Sequence, residues 1–204
     1  SPIARGVGFK GEYCTTMFNK ARDIILDFFC VLDNDDYTVI YTKSDTEGLN
    51  ALANVLIQDK DDMVLTTRME HHANDLPFRR VAKMVYVEVD VLGRINIDDI
   101  EEELIKANGK IKVVTITGAS NVTGYITPIH DIARLAHKYG AVIIVDGAQL
   151  IAHREVNLAG NSKDEEIDFL TFSAHKAYAP FGSGAIVGKK DYLNEEDPFL
   201  SGGG

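Results

Sequence analysis

Two apolar runs constrain the fold of this chain more than anything else in it. The first, AVIIVDGAQ, spans residues 141–149 and ends in acid; the second, IDFLTFSAHK, spans residues 167–176 and ends in a lysine. Short runs of Val, Ile, Leu and Phe without polar alternation read as strands buried on both faces, as in parallel sheets covered by helices. In such sheets, ligands gather outside the carboxyl ends of the strands. Asp146 and Lys176 are therefore expected to face one crevice. A buried acid near a lysine needs either a mutual ion pair or a ligand between the two. The reading adopted here is the ligand.

The rest of the chain supplies the layers. Residues 15–29 carry Met17, Phe18, Ala21, Ile25, Phe28 and Phe29 at helical spacing. Residues 37–42 (YTVIYT) read as a strand, and Leu49, Leu52, Ala53 and Leu56 form one face of the helix behind it, with Asp45 or Thr46 as its N-cap. Strands follow at 63–67, 83–89 and 111–117, with an amphipathic helix over 98–107. Pro128 suits the first turn of a helix over 129–139, and Gly140 closes it. The connection from Ser173 to the final strand at 185–188 is too short for a crossover helix, so that strand returns antiparallel. The expected fold is α/β: a mostly parallel seven-stranded sheet flanked by helices, its last strand antiparallel, in one domain over residues 1–204.

Charge and composition exclude several classes of function. A net charge of −10 disfavours nucleic acid and anionic membrane as partners. No apolar run approaches the roughly 20 residues that span a bilayer, and no signal peptide is visible. Cys14 and Cys30 lack CxxC spacing and read as reduced thiols of a cytoplasmic protein.

Polar clusters follow almost every strand: residues 44–47, 70–74, 120–121, 146–149 and 173–176. There is no GxxxxGK[ST] phosphate loop, no GxGxxG after the first strand, no zinc-helix histidine pair and no GxSxG elbow. What is present suits a cofactor with a phosphate, an aromatic ring and a carbonyl. Thr46 and the amides of its helix N-terminus can cradle phosphate, and Ser173 and His175 can complete that cradle. A partly desolvated Lys176 suits a Schiff-base amine, and Asp146 could keep a pyridine nitrogen protonated. That combination describes pyridoxal 5′-phosphate.

Four motifs then carry a family resemblance: Glu70-His71-His72-Ala73-Asn74, Ser120-Asn121-Val122-Thr123-Gly124, Asp146-Gly147-Ala148-Gln149 and Ser173-Ala174-His175-Lys176. Their order resembles that of class V pyridoxal-phosphate enzymes, within them the large domain of the cysteine desulfurase and selenocysteine lyase group, from about Arg5 to Gly204. The resemblance implies that Lys176 bonds the cofactor and shuttles the substrate α-proton, that Asp146 pairs with the ring nitrogen, and that His71 stacks on the ring. It implies that Asn121 and Gln149 contact the ring hydroxyl, and that Thr46, Ser173 and His175 hold the phosphate. Where the family usually reads Gly-Thr-Thr-Glu, this chain reads Ser44-Asp45-Thr46-Glu47. An acid at position 45 is unfavourable beside a phosphate unless it points away or caps the helix.

The ends fit a fragment, with no initiator Met and a Ser-Gly-Gly-Gly finish at residues 201–204. Family members have a further amino-terminal segment and a smaller carboxyl-terminal domain that carries the substrate-carboxylate arginine and the desulfurase cysteine; neither Cys14 nor Cys30 matches that cysteine. The resemblance implies a cytoplasmic homodimer that acts on a cysteine-like amino acid and passes sulfur to an acceptor protein. The alternatives are a class V aminotransferase, a selenocysteine or cysteine lyase, and a cofactor-binding chain without activity. The remaining polar residues read as structural: His72, His130, His137 and His153 as surface, the acidic runs at 101–103 and 164–166 as solvated, and residues 182–184 as a tight turn.

Overall fold

The computed structural model describes residues 8–194; residues 201–204, read above as the end of a fragment, lie outside them. The chain folds as α1 (Phe9–Phe28), β1 (Tyr37–Thr42), α2 (Asp45–Leu56), β2 (Met63–Thr67), α3 (Leu76–Arg79), β3 (Lys83–Val87), α4 (Ile97–Ala107), β4 (Ile111–Thr117), α5 (Ile129–Lys138), β5 (Val142–Asp146), β6 (Phe169–Ser173), β7 (Gly184–Lys189) and α6 (Asp191–Asn194). The seven strands form one sheet in the order β1-β7-β6-β5-β4-β2-β3. Only β7 runs antiparallel to its neighbours, β1 and β6; the other pairs are parallel. Strands β1, β2, β4, β5 and β6 therefore all end on the same edge of the sheet.

The continuous apolar runs have their cause in burial on both faces. Ile143, Val145, Leu170 and Val187 pack on one face with Ile100, Leu104, Ile132 and Ala136 of α4 and α5. Their neighbours Ile144, Phe169 and Ile186 pack on the other with Leu49, Leu52 and Ala53 of α2. Toward the carboxyl ends, this second face changes character. Thr115, Thr117, Asp146, Thr171 and Ser173 are all buried there, continuing the alternation of the strands with polar side chains. That polar strip underlies the site.

Several local expectations need correction. Helix α1 begins at Phe9, six residues before the expected start at Thr15, and Met17 and Phe28 of its expected buried face are exposed. Strand β3 stops at Val87; Val89 makes only an isolated bridge to Ile95. The N-cap of α2 is Ser44, not Asp45 or Thr46: its hydroxyl accepts from the Glu47 amide at 3.2 Å. His137 is not a surface residue. Its Nε2 lies 2.9 Å from Asp168 Oδ2 and its Nδ1 2.9 Å from the Asp164 carbonyl. The acidic runs are not simply solvated either. Glu101 accepts from Lys138 and Tyr139, half-buried Glu165 pairs with Arg134, and half-buried Glu166 pairs with Lys189. Helix α5 is amphipathic enough to bury one side, so the polar groups along its flank meet the loop before β6 instead of water.

Candidate functional site

Eight residues expected to serve one site, Thr46, His71, Asn121, Asp146, Gln149, Ser173, His175 and Lys176, all line a single cleft of about 310 Å³ at the carboxyl edge of the sheet. Such a volume holds one small cofactor.

Each is positioned by a local device. Asp146 closes β5, is 3% exposed, and has among the described residues one donor to its carboxylate, the Ala148 amide at 2.9 Å. Burial raises its carboxyl above the usual range, against the pull of that amide and of the Lys176 and His71 charges. Lys176 sits on a short 3-10 turn (Ala174–Ala177) that leaves β6. The turn lifts it off the strand end, so it is exposed, not partly desolvated as the sequence suggested. Among the described residues its amine makes no hydrogen bond or ion pair, and no salt bridge joins it to Asp146. The ion-pair alternative is therefore not what this edge of the sheet contains.

The other end of the cleft collects donors. Ser173, 4% exposed, accepts from the Asp45 amide at 2.7 Å, which leaves its own proton free to donate. His175 stacks on the exposed Phe181 ring at 4.8 Å, and its Nδ1 is buried without a partner among the described residues. Thr46 opens α2, where the Asp45 and Glu47 amides are already capped and the Thr46 amide has no protein acceptor among the described residues. Gly184 lets this helix end approach the sheet: a Cβ there would lie 2.6 Å from the Phe172 carbonyl and 3.0 Å from Ser44 Cα.

His71 lines the cleft and accepts from the Ala73 amide at Nδ1, 3.1 Å away, so in its neutral form the ring proton is on Nε2. A chain of side chains the sequence did not reveal holds this segment down. Thr67 and Asn74 both donate to Glu70, at 2.6 and 2.7 Å, and Asn74 accepts from Thr115 at 2.5 Å. Burial pushes the Glu70 carboxyl up to about 8. Asn121 lies on an exposed turn whose amides at 122 and 123 donate to Ser120 Oγ, and Gln149 is half-buried beside Ala148.

Asp45 is the residue the sequence misplaced. It neither points away nor caps α2: it is 5% exposed, lines the cleft, and accepts from Thr171 Oγ1 at 2.6 Å. Its only signal was the acid at a position where the resembling family usually has threonine. Cys14 and Cys30 are both free and exposed, and neither lines the cleft.

The donor set fits pyridoxal phosphate on its own terms. The orphaned His175 Nδ1, the Ser173 proton and the Thr46 amide suit an anion, and the underpartnered Asp146 suits a cationic N–H. Lys176 offers an unpaired amine at the same cleft.

Comparison with known proteins agrees. The model of the aminotransferase class-V family matches residues 2–204. A probable cysteine desulfurase of Halalkalibacterium halodurans is 34% identical over 212 residues, covering 100% of this chain and 50% of that protein. A cysteine desulfurase of Haloferax volcanii is 32% identical, covering 100% of this chain and 48% of that protein. The apo structure of a cysteine desulfurase from Thermococcus onnurineus superposes with a TM-score of 0.86 at 31% identity, over 98% of this chain and 50% of that one. The chain thus spans about half the length of the curated relatives it matches. The polar cleft, the strand-end motifs and the family match lead to one conclusion: this chain belongs to the class-V aminotransferase family, whose cofactor is pyridoxal 5′-phosphate.

Proposed function

We propose that this chain is the cofactor-holding large domain of a cysteine desulfurase, acting on cysteine or a closely related amino acid in the cytoplasm as a homodimer. The observation that carries the reading is the pairing, in one cleft, of an underpartnered buried Asp146 with an unpaired Lys176. The names of the relatives supply the substrate class. Two free thiols suit a reducing compartment, and no helix of the described residues is long and apolar enough to cross a membrane.

When bound, the cofactor supplies an electron sink for charge developing at the substrate α-carbon. The residues of this chain do the rest. Asp146 holds the proton on the ring nitrogen, which keeps that sink open. Lys176 anchors the cofactor through its amine, then takes and returns the proton at the α-carbon. His71 covers the ring, with its tautomer fixed by the Ala73 amide. Asn121 and Gln149 orient the ring hydroxyl. Thr46, Ser173 and His175 hold the phosphate at the start of α2. Since neither Cys14 nor Cys30 lines the cleft, the thiol that takes sulfur from the substrate before an acceptor protein receives it is neither of these two.

The test is product analysis on the longer polypeptide of which this chain is proposed to be the large domain, loaded with pyridoxal phosphate and given L-cysteine and a reductant. Alanine and sulfide in equal amounts are expected, with the cofactor unchanged. A 2-oxo acid with the cofactor left in its amine form would make the chain an aminotransferase instead. Cofactor binding without any product would leave it a binding domain.

A further inference from the structure

The first turn of α2 carries two acids, and they are placed differently. Glu47 stays at the rim, where it accepts from the Lys43 amide at 2.5 Å. Asp45 turns inward and lies among the groups that favour an anion: its amide donates to Ser173, and it lines the cleft with Thr46 and His175. Thr171 donates to its Oδ1, while Oδ2 has no protein donor among the described residues. An ionised carboxylate at this place would repel the very group the surrounding donors attract. A protonated one would add a donor to them.

We propose that Asp45 is a proton-holding member of the phosphate cradle, donating to the cofactor's phosphate when protonated and weakening its binding when ionised. The proposal rests on the reading that the cleft holds pyridoxal phosphate. The charged and titratable groups around Asp45 are few. Asp146 faces it from β5, and His175 and Lys176 from the turn after β6. His71 and Glu70 come from the loop after β2, while Lys43 precedes it before the N-cap and Glu47 follows it on α2. Strands β6 and β7 bring Thr171, Ser173 and Gly184, none of which titrates here. Burial, then Asp146, pushes Asp45 up to about 7, against the Thr171 hydrogen bond and the Lys176 charge. Asp45 thus changes charge near neutral pH.

The experiment measures binding of pyridoxine 5′-phosphate to the 204-residue chain, freed of cofactor, between pH 6.5 and 8.5. This probe has no aldehyde and cannot bond Lys176, and its phosphate is largely dianionic above a pKa of about 6. Pyridoxine, which lacks the phosphate, is the control. For the wild type, the affinity for pyridoxine 5′-phosphate relative to pyridoxine is expected to fall by up to about tenfold per pH unit above pH 7.5. In Asp45→Asn, which keeps a donor at the same place, that loss should largely disappear. Asp45→Thr is the second variant, should the amide disturb α2, and should behave alike; circular dichroism checks that both are folded. Equal slopes in the wild type and both variants would overturn the role of Asp45 while leaving the cofactor reading intact. Absence of pyridoxine 5′-phosphate binding at every pH would overturn both.

Discussion

Asp146 closes β5 and Asp168 immediately precedes the neighbouring parallel strand β6; these buried acids lie at opposite edges of the sheet, and their surroundings are opposite. Asp168, 1% exposed, precedes β6; its Oδ2 is hydrogen-bonded, and its Oδ1 is met by an ion pair and no hydrogen bond. His137 and the Ile143 amide each reach its Oδ2 at 2.9 Å, and Lys189 lies 2.9 Å from Oδ1. Both nitrogens of His137 face acceptors, so the doubly protonated cation is the form that satisfies both, and the hydrogen bond to Asp168 raises its pKa. The histidine hydrogen bond and the Lys189 charge hold the Asp168 carboxyl below the usual range in spite of its burial. Asp146 has one amide and a raised carboxyl. A buried charge that the protein itself satisfies belongs to the fold; one that it leaves unsatisfied at a strand end awaits a ligand.

The largest way to break this comparison is Asp168→Ala. It strands the His137 cation and leaves Lys189 with Glu166 alone, and is expected to lower unfolding free energy by about 3 kcal/mol, read by urea denaturation. A loss under about 1 kcal/mol would mean the cluster is ornamental. Asp146→Asn should do the reverse. Stability without cofactor holds or rises slightly, while cofactor affinity falls by roughly 10- to 100-fold, the scale of a lost charged hydrogen bond. Equal destabilisation by both substitutions would erase the distinction.

Two smaller effects sharpen it through pH. His137→Ala should cost about 1.5 kcal/mol at pH 6. Since folding raises the pKa of this imidazole, its contribution is complete below the unfolded value of about 6.5 and is lost as pH rises through the folded one. Variant and wild type should therefore converge in stability in alkaline solution. At the other end of the sheet, folding raises the carboxyls of Asp45 and Glu70 to about 7 and about 8. The native state then binds more protons than the unfolded chain, and cofactor-free stability should decline as pH rises from about 4 to about 8. Glu70→Gln should flatten that decline, as followed by thermal melts across pH.

Much of this architecture was legible in the residues. Strands such as β5 and β6 announce themselves because burial on both faces demands unbroken apolar runs, and Asp146 and Lys176 stand out because such runs end at them. What escaped is what depends on distant partners. His137 meets Asp168 only because α5 packs against β5, across 31 positions of sequence. Asp45 looked like a surface or capping acid because nothing local announces the Thr171 hydroxyl beneath it. The start of α1 was missed because Phe9 and Tyr13 are exposed and form no buried stripe to reveal a helix.

The central claim is that Lys176 and Asp146 are the two ends of one pyridoxal phosphate site. Mixing the cofactor-free chain with pyridoxal phosphate, reducing with borohydride and mapping the labelled peptide tests it most directly. The account predicts a new visible absorption band and one label per chain, on Lys176, abolished in Lys176→Ala. A colourless mixture, or a label spread over the other lysines, would contradict it.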